Sequence, residues 1–195
     1  MENKESLDEL RREIGDCRRC DLWKTRTHLV FGDGNPNARV MLIGEAPGFY
    51  EDKEGIPFVG AAGKFLNKLL ESVSLKREDI YIANILKCRP PKNRDPLPEE
   101  IKTCSPFLDR QIEIIKPKII ICLGRFASKY ILDKFGFSDA DSISKIHGKV
   151  FVSNTPFGIL KIIPMYHPAS ALYRNELKEV LLSDWIRIKN LFLKI

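Results

Sequence analysis

The chain predicts an α/β fold, a three-layer α/β/α sandwich on a four-stranded parallel sheet. The apolar pattern carries the first part of that reading. Four short runs rich in β-branched residues, Val40–Ile43, Ile80–Ile85, Ile119–Leu123 and Leu160–Pro164, show no polar alternation, as strands covered on both faces do. Stretches of helical spacing fall between them, and strands alternating with helices specify a parallel sheet. The 195 residues are enough for one well-buried core. No Gly/Ser-rich linker or internal repeat divides them, so residues 1–195 are expected to form a single domain.

Each element has a local cause. Ser6-Leu7-Asp8-Glu9 reads as a capping box, with Leu7, Leu10 and Ile14 on one face and Gly15 as the stop. The first strand ends in Gly44-Glu45-Ala46-Pro47-Gly48, and Lys64–Ser72 then carries Phe65, Leu66, Leu69 and Leu70 at helical spacing. The second strand runs through Asn84 into Lys87-Cys88-Arg89-Pro90-Pro91. Pro98–Ile115 opens with proline and two glutamates, as a helix start should, and Pro106 predicts a kink or a restart after a Ser105 cap. Arg125–Phe135 follows the third strand, and the fourth ends in Tyr166-His167-Pro168-Ala169-Ser170. Asn175 is expected to cap a last helix whose Leu177, Val180, Leu181, Trp185, Ile188 and Phe192 form one stripe.

Composition narrows the class. No apolar run approaches membrane-spanning length, so no membrane partner is expected. The start Met-Glu-Asn-Lys-Glu carries no apolar signal segment, which predicts an intracellular protein of the cytoplasm or nucleoid. A formal charge of +6 leans towards a polyanionic partner. Of the 5 cysteines, Cys122 sits in an apolar run as core filler, while Cys17, Cys20, Cys88 and Cys104 lie in or beside basic, proline-rich loops. Loop thiols brought together hold an iron–sulfur cluster, a structural zinc or disulfides. The two metals are not separated by residue type, and an intracellular setting disfavours disulfides. Gly60-Ala61-Ala62-Gly63-Lys64 lacks the spacing and the Ser/Thr of an ATP-binding loop. Its free helix-start amides suit a DNA phosphate. His28 and His147 read as surface or turn residues.

Ligands of parallel sheets collect at the carboxyl ends of strands. Here Glu45, Asn84 and His167 stand at three such ends. Gly44-Glu45-Ala46-Pro47-Gly48 with Glu51-Asp52 and Pro57-Phe58-Val59-Gly60 resembles motif A of the family 4 uracil-DNA glycosylases. Asn84-Ile85-Leu86-Lys87-Cys88-Arg89-Pro90-Pro91 with Asn93-Arg94-Asp95-Pro96 resembles their middle signature, and His167-Pro168-Ala169-Ser170 their motif B. The match runs from Cys17 to nearly the end of the chain.

The resemblance implies excision of uracil from single- or double-stranded DNA, and a [4Fe-4S] cluster on Cys17, Cys20, Cys88 and Cys104. Phe58 would stack on the flipped base, and the Asn84 amide would pair with uracil O4 and N3–H against cytosine's reversed pattern. His167 would donate a hydrogen bond to O2 as negative charge develops there. Glu45 matches a glutamine of family 1 and would help hold base or phosphate through its main chain or side chain. Ala46, also at the base site, replaces the family 1 aspartate that orients water. That leaves either Glu51 to position water or a sugar cation that needs little activation, and the second is the expectation. Glu51 would also bar thymine's methyl. Leu172 is the expected DNA wedge, with Tyr173 next. Lys87, Arg89, Lys92, Arg94, Arg18 and Arg19 read as phosphate contacts. No histidine follows the middle motif as in covalent uracil-trapping relatives, so ordinary turnover is expected. A monomer is expected, and Leu191 and Phe192 could meet a sliding clamp, though helix packing accounts for them equally. The rival readings are a non-catalytic, metal-stapled DNA-binding or redox-sensing module, and a glycosylase of broader base scope.

Overall fold

Helices and strands alternate along nearly the whole chain in the computed structural model, which describes residues 2–193. In chain order the main elements are α1 (Glu2–Ile14), β1 (Asp33–Gly34), β2 (Val40–Gly44), α2 (Phe49–Glu54), α3 (Ala61–Ser72) and β3 (Ile80–Asn84). They continue with α4 (Pro98–Ile115), β4 (Ile119–Leu123), α5 (Arg125–Lys134) and α6 (Ile143–Ile146). The last are β5 (Phe151–Thr155), β6 (Gly158–Met165), α7 (Ser170–Tyr173) and α8 (Asn175–Phe192).

The sheet has six strands in the order β1-β3-β2-β4-β6-β5. Its centre, β3-β2-β4-β6, is parallel and contains the four expected runs apart from Ile85, which lies just past β3. The expected four-stranded sheet is thus corrected by two antiparallel edges, β1 on β3 and β5 on β6. Both escaped the apolar signal for physical reasons. The strand β1 is only Asp33-Gly34, and β5 is never fully buried along its length, so neither needs an apolar run.

Side chains of the parallel strands alternate between two cores. Met41, Ile43, Tyr81, Ala83, Ile120 and Cys122 face α1, α4 and α5. Val40, Leu42, Ile82, Ile121 and Ile163 face α3 and α8. These two packed faces give the helix–sheet–helix layering and hold the strand ends rigidly in register.

Three local expectations are corrected. Ser6 lies inside α1, which begins at Glu2, so the capping box is not a cap. The helix does stop at Gly15, whose φ of 48° lets its N–H reach the Arg11 carbonyl. Helix α4 continues through Pro106 without the restart, and Ser105 is a buried residue inside it, not a cap. Asn175 is the first residue of α8 and makes no cap bond. Phe192 is buried and Leu191 packs against the same core, so packing accounts for both. Among the described residues no helix is long and apolar enough to cross a membrane.

Candidate active site

A cavity of ≈ 320 Å³ opens where β2, β3 and β6 end. Glu45, Ala46, Gly48, Glu51, Phe58, Asn84 and His167 all line it. The structure therefore brings together every expected base-site residue. Loop connections do this cheaply, because Ile85 and Leu86 donate their N–H groups to the Gly44 and Glu45 carbonyls and so zip the first two strand ends together.

Asn84 is 2% exposed, and its Oδ1 is buried without a hydrogen-bond partner. A buried amide oxygen left unpaired costs on the order of 1–3 kcal/mol, so it marks a place kept for another group. Gly44 makes the arrangement sterically possible. A Cβ there would lie 2.3 Å from Asn84 Oδ1 and 2.8 Å from the Phe58 ring.

Phe58 is held in a conformation its side chain disfavours, with φ at 54°. Several groups impose it. Arg77 donates to the carbonyls of Phe58 (2.9 Å) and Pro57 (2.8 Å). Glu51 Oε1 accepts from the N–H groups of Val59 and Gly60, both at 3.0 Å. At Gly63 the Phe58 carbonyl comes so close that a Cβ would sit 1.8 Å from it. Sequence reasoning missed Arg77, Gly44 and Gly63. The two glycines were visible as letters inside motifs, but the close approaches they permit, of Asn84 and the Phe58 ring to Gly44 and of the Phe58 carbonyl to Gly63, appear only in the folded chain. The free-amide reading of this helix start is also narrowed, since the Gly60 N–H is already given to Glu51.

The Phe58 and His167 rings stack with centroids 5.5 Å apart and planes 26° from parallel. Burial pushes the His167 imidazole down to about 4, against the opposing pull of the Glu51 carboxylate. The ring is thus neutral at ordinary pH. Its Nδ1 accepts the Ala169 N–H at 3.1 Å, which assigns the proton to Nε2. Gly124, at φ 96°, leaves room for it: a Cβ there would lie 3.2 Å from His167 Cβ. Burial pushes the Glu45 carboxyl up to about 7, helped by Asp95 and opposed by Arg125. Leu172 is exposed but does not line the cavity, whereas Tyr173, 88% exposed, does.

A second, smaller cavity is lined by all four loop cysteines, together with Arg19, Lys87 and Phe107. None of the four is in a disulfide. Burial raises the Cys104 thiol to about 12 and lifts Cys88 and Cys20 above the ordinary value. Apolar surroundings therefore oppose thiolates here unless a positive centre offsets them. One cationic donor stands ready for such charge: Arg26 Nη1 donates to Cys88 Sγ at 3.1 Å and to the Cys17 carbonyl at 2.7 Å. The Lys87 N–H donates to Cys104 Sγ at 3.2 Å. Among the described residues no three His, Cys, Asp or Glu side chains close around a single ion.

The basic loops divide. Lys92, Arg18 and Arg19 are exposed, and Arg89 lies over the exposed Phe49 ring, 5.1 Å from its centroid. Arg94 is committed to Glu100 through paired bonds of 2.9 and 2.6 Å. Lys87 is 1% exposed, so its expected phosphate contact is corrected: a buried amine cannot reach DNA.

Comparison with known proteins agrees with this geometry. Residues 31–187 match the family described as "Uracil DNA glycosylase superfamily". The chain is 51% identical to a type-4 uracil-DNA glycosylase of Archaeoglobus fulgidus, covering 96% of this chain and 94% of the relative. It is 41% identical to the type-4 enzyme of Thermotoga maritima, over 100% of this chain and 99% of that one. A type-5 uracil-DNA glycosylase of Pyrobaculum aerophilum is 31% identical over 82% of this chain and 74% of its own length.

Proposed function

This chain belongs to the type-4 uracil-DNA glycosylases of the uracil DNA glycosylase superfamily, and from that premise we propose how its cavity works. It is an enzyme, a hydrolase that cleaves the N-glycosidic bond of deoxyuridine in DNA, releasing uracil and leaving an abasic site for base excision repair. The observation that carries the reading is the unpartnered Asn84 Oδ1, set beside the Phe58 ring in one cavity with an Nε2–H imidazole.

The nucleotide swings out of its strand at a cost of a few kcal/mol. Phe58 gives the base an aromatic face. Asn84 offers one acceptor and one donor to N3–H and O4, and cytosine meets it with donors and acceptors reversed. As the C1′–N1 bond lengthens, charge gathers on O2, where neutral His167 donates from Nε2. A preorganised donor of this kind contributes roughly 3–4 kcal/mol.

Water is the open role, since Ala46 carries no acid. Glu51 is already committed through Oε1 to the Phe58 loop, so its part is to hold that aromatic in place and close the C5 edge. Glu45, with a carboxyl poised near 7 in the same cavity, is suited to steer water towards the sugar cation. We assign the wedge to Tyr173 at the cavity mouth, with Leu172 beside it.

Cys17, Cys20, Cys88 and Cys104 would hold a [4Fe-4S] cluster, as the family resemblance implies. Hydrolysis transfers no electron, so the four cysteines, with such a group bound, would fasten the proline-rich loop between Cys88 and Cys104 to the chain's start. The exposed Lys92, Arg18 and Arg19 then meet phosphate.

The test is incubation with a uracil-containing oligonucleotide followed by alkali cleavage, alongside visible absorption and iron analysis. Strand scission at uracil by a brown protein is expected, with Asn84→Ala and His167→Ala each losing at least about 100-fold. A colourless wild type leaving the oligonucleotide intact overturns the reading.

A further inference from the structure

The side chain of Lys87 is among the largest fully sealed ones, at 1% exposure, and among the described residues it forms no ion pair with a carboxylate. A buried ammonium with no counter-charge is costly in any protein. Its Nζ donates to the Asn84 main-chain carbonyl at 2.9 Å and to Gln111 Oε1 at 2.7 Å. Gln111, 0% exposed, is held in turn by the Phe31 carbonyl (2.9 Å) and the Tyr81 hydroxyl (3.2 Å). At its other end the residue is tied to the thiols, with its N–H on Cys104 Sγ and its carbonyl taken by the Val30 N–H at 2.8 Å. The main-chain N–H and carbonyl of Lys87 and two donors of its amine are thus used, all inwards.

We infer that Lys87 is a positioning residue that couples the four-thiolate centre to the base-reading amide: its buried amine is the interior counter-charge of that centre and clamps the main chain of Asn84. The inference rests on the cluster reading given above. Four thiolates around an iron–sulfur core carry net negative charge, and that charge is what makes a sealed cation tolerable at this place. The same residue fixes the turn from Asn84 to Cys88, so the loop that binds the cluster and the strand end that reads uracil move as one body. Gln111 completes the clamp from α4, the helix that also carries Cys104.

Two holoenzyme variants test it, Lys87→Met, which removes the charge at similar volume, and Gln111→Glu, which adds a negative charge at nearly the same shape. Loss of a cation or gain of an anion beside the cluster disfavours its reduction. Midpoint potentials of both variants are therefore expected below that of wild type. Lys87→Met is further expected to lower the single-turnover rate roughly 10- to 100-fold, the usual cost of removing a supporting contact of this kind. Its DNA dissociation constant and the salt dependence of binding should stay at wild-type values, because no phosphate is touched. Potentials equal to wild type in both variants overturn the inference. So does a Lys87→Met loss that lies wholly in DNA affinity with a shallower salt slope. Should Lys87→Met fail to fold or to keep iron, Gln111→Glu decides alone, a lowered potential supporting the coupling and an unchanged one ending it. A wild type without iron or without activity would instead refute the reading on which this one stands.

Discussion

Replacing Gly44 by alanine tests whether the cavity is held together by close approach at the first strand end. The new Cβ would sit 2.3 Å from Asn84 Oδ1 and 2.8 and 2.9 Å from two Phe58 ring carbons. Ordinary contact is 3.4–4 Å, so either the amide or the ring must retreat by about 1 Å, against two packed cores. A misplacement of that size at a reacting centre costs about 100-fold in rate, or roughly 2.7 kcal/mol of transition-state stabilisation. Overpacking adds a stability loss of about 1–3 kcal/mol, which lowers Tm by roughly 2–4 °C per kcal/mol in a chain of this size. Gly136→Ala is the control. Its φ of 90° strains any side chain, yet nothing lies within 4 Å of the added carbon. The assay is single-turnover cleavage of a uracil oligonucleotide at saturating enzyme, with thermal unfolding measured on the same samples. Both variants should melt early, and only Gly44→Ala should lose rate. Activity of Gly44→Ala within threefold of wild type, or equal losses in both, would refute the reasoning.

Two further outcomes follow from the site. Glu45, raised to about 7, is protonated below that pH and ionised above it, while His167, lowered to about 4, is neutral on both sides. The productive pair, ionised Glu45 with neutral His167, therefore fills as pH rises, so kcat/KM should climb through about 7 and Glu45→Gln should flatten the climb; a wild-type profile level across neutrality refutes this. Glu51→Gln should keep most activity, because an amide oxygen can still accept from Val59 and Gly60, whereas Glu51→Ala should lose on the order of 10- to 100-fold as the Phe58 loop loosens. Equal losses in the two would make the Glu51 charge, and not its hydrogen bonds, the operative feature.

The parallel centre of the sheet was legible because its strands are buried on both faces and so are written as uninterrupted Val/Ile/Leu runs. The edges were not, since Asp33-Gly34 pairs through main chain alone and β5 keeps an outer face in solvent. The site was legible in its chemical groups, Glu45, Asn84, His167 and the four cysteines, because their types and their places at strand ends and loops are local. What holds them was not. Arg77 reaches the Phe58 carbonyl across 19 residues, and Gly63 is needed only because the Phe58 carbonyl, in the loop leading into α3, presses against it. Lys87 was misread for the same reason. Among Arg and Pro neighbours a lysine looks solvated, and only the packing of α4 over the strand end shows it sealed.

Burial moves Glu45 and His167 in opposite directions, the carboxyl up to about 7 and the imidazole down to about 4, and the pairing has a chemical logic. A protonated His167 would attract charge on O2 more strongly, but it would also repel the cation-like sugar. A neutral ring with its proton on Nε2 answers only the charge that appears as the bond breaks. The interaction is then stronger in the transition state than with the bound base, which is the condition for accelerating the step and not merely tightening the complex. Glu45 meets the complementary need, since a carboxylate formed near neutrality favours positive charge on the sugar and can orient the water that captures it. Burial in one cavity, beside Phe58 and the ends of three strands, thereby sets both protonation states, with Asp95 and Arg125 adjusting Glu45 and Glu51 adjusting His167.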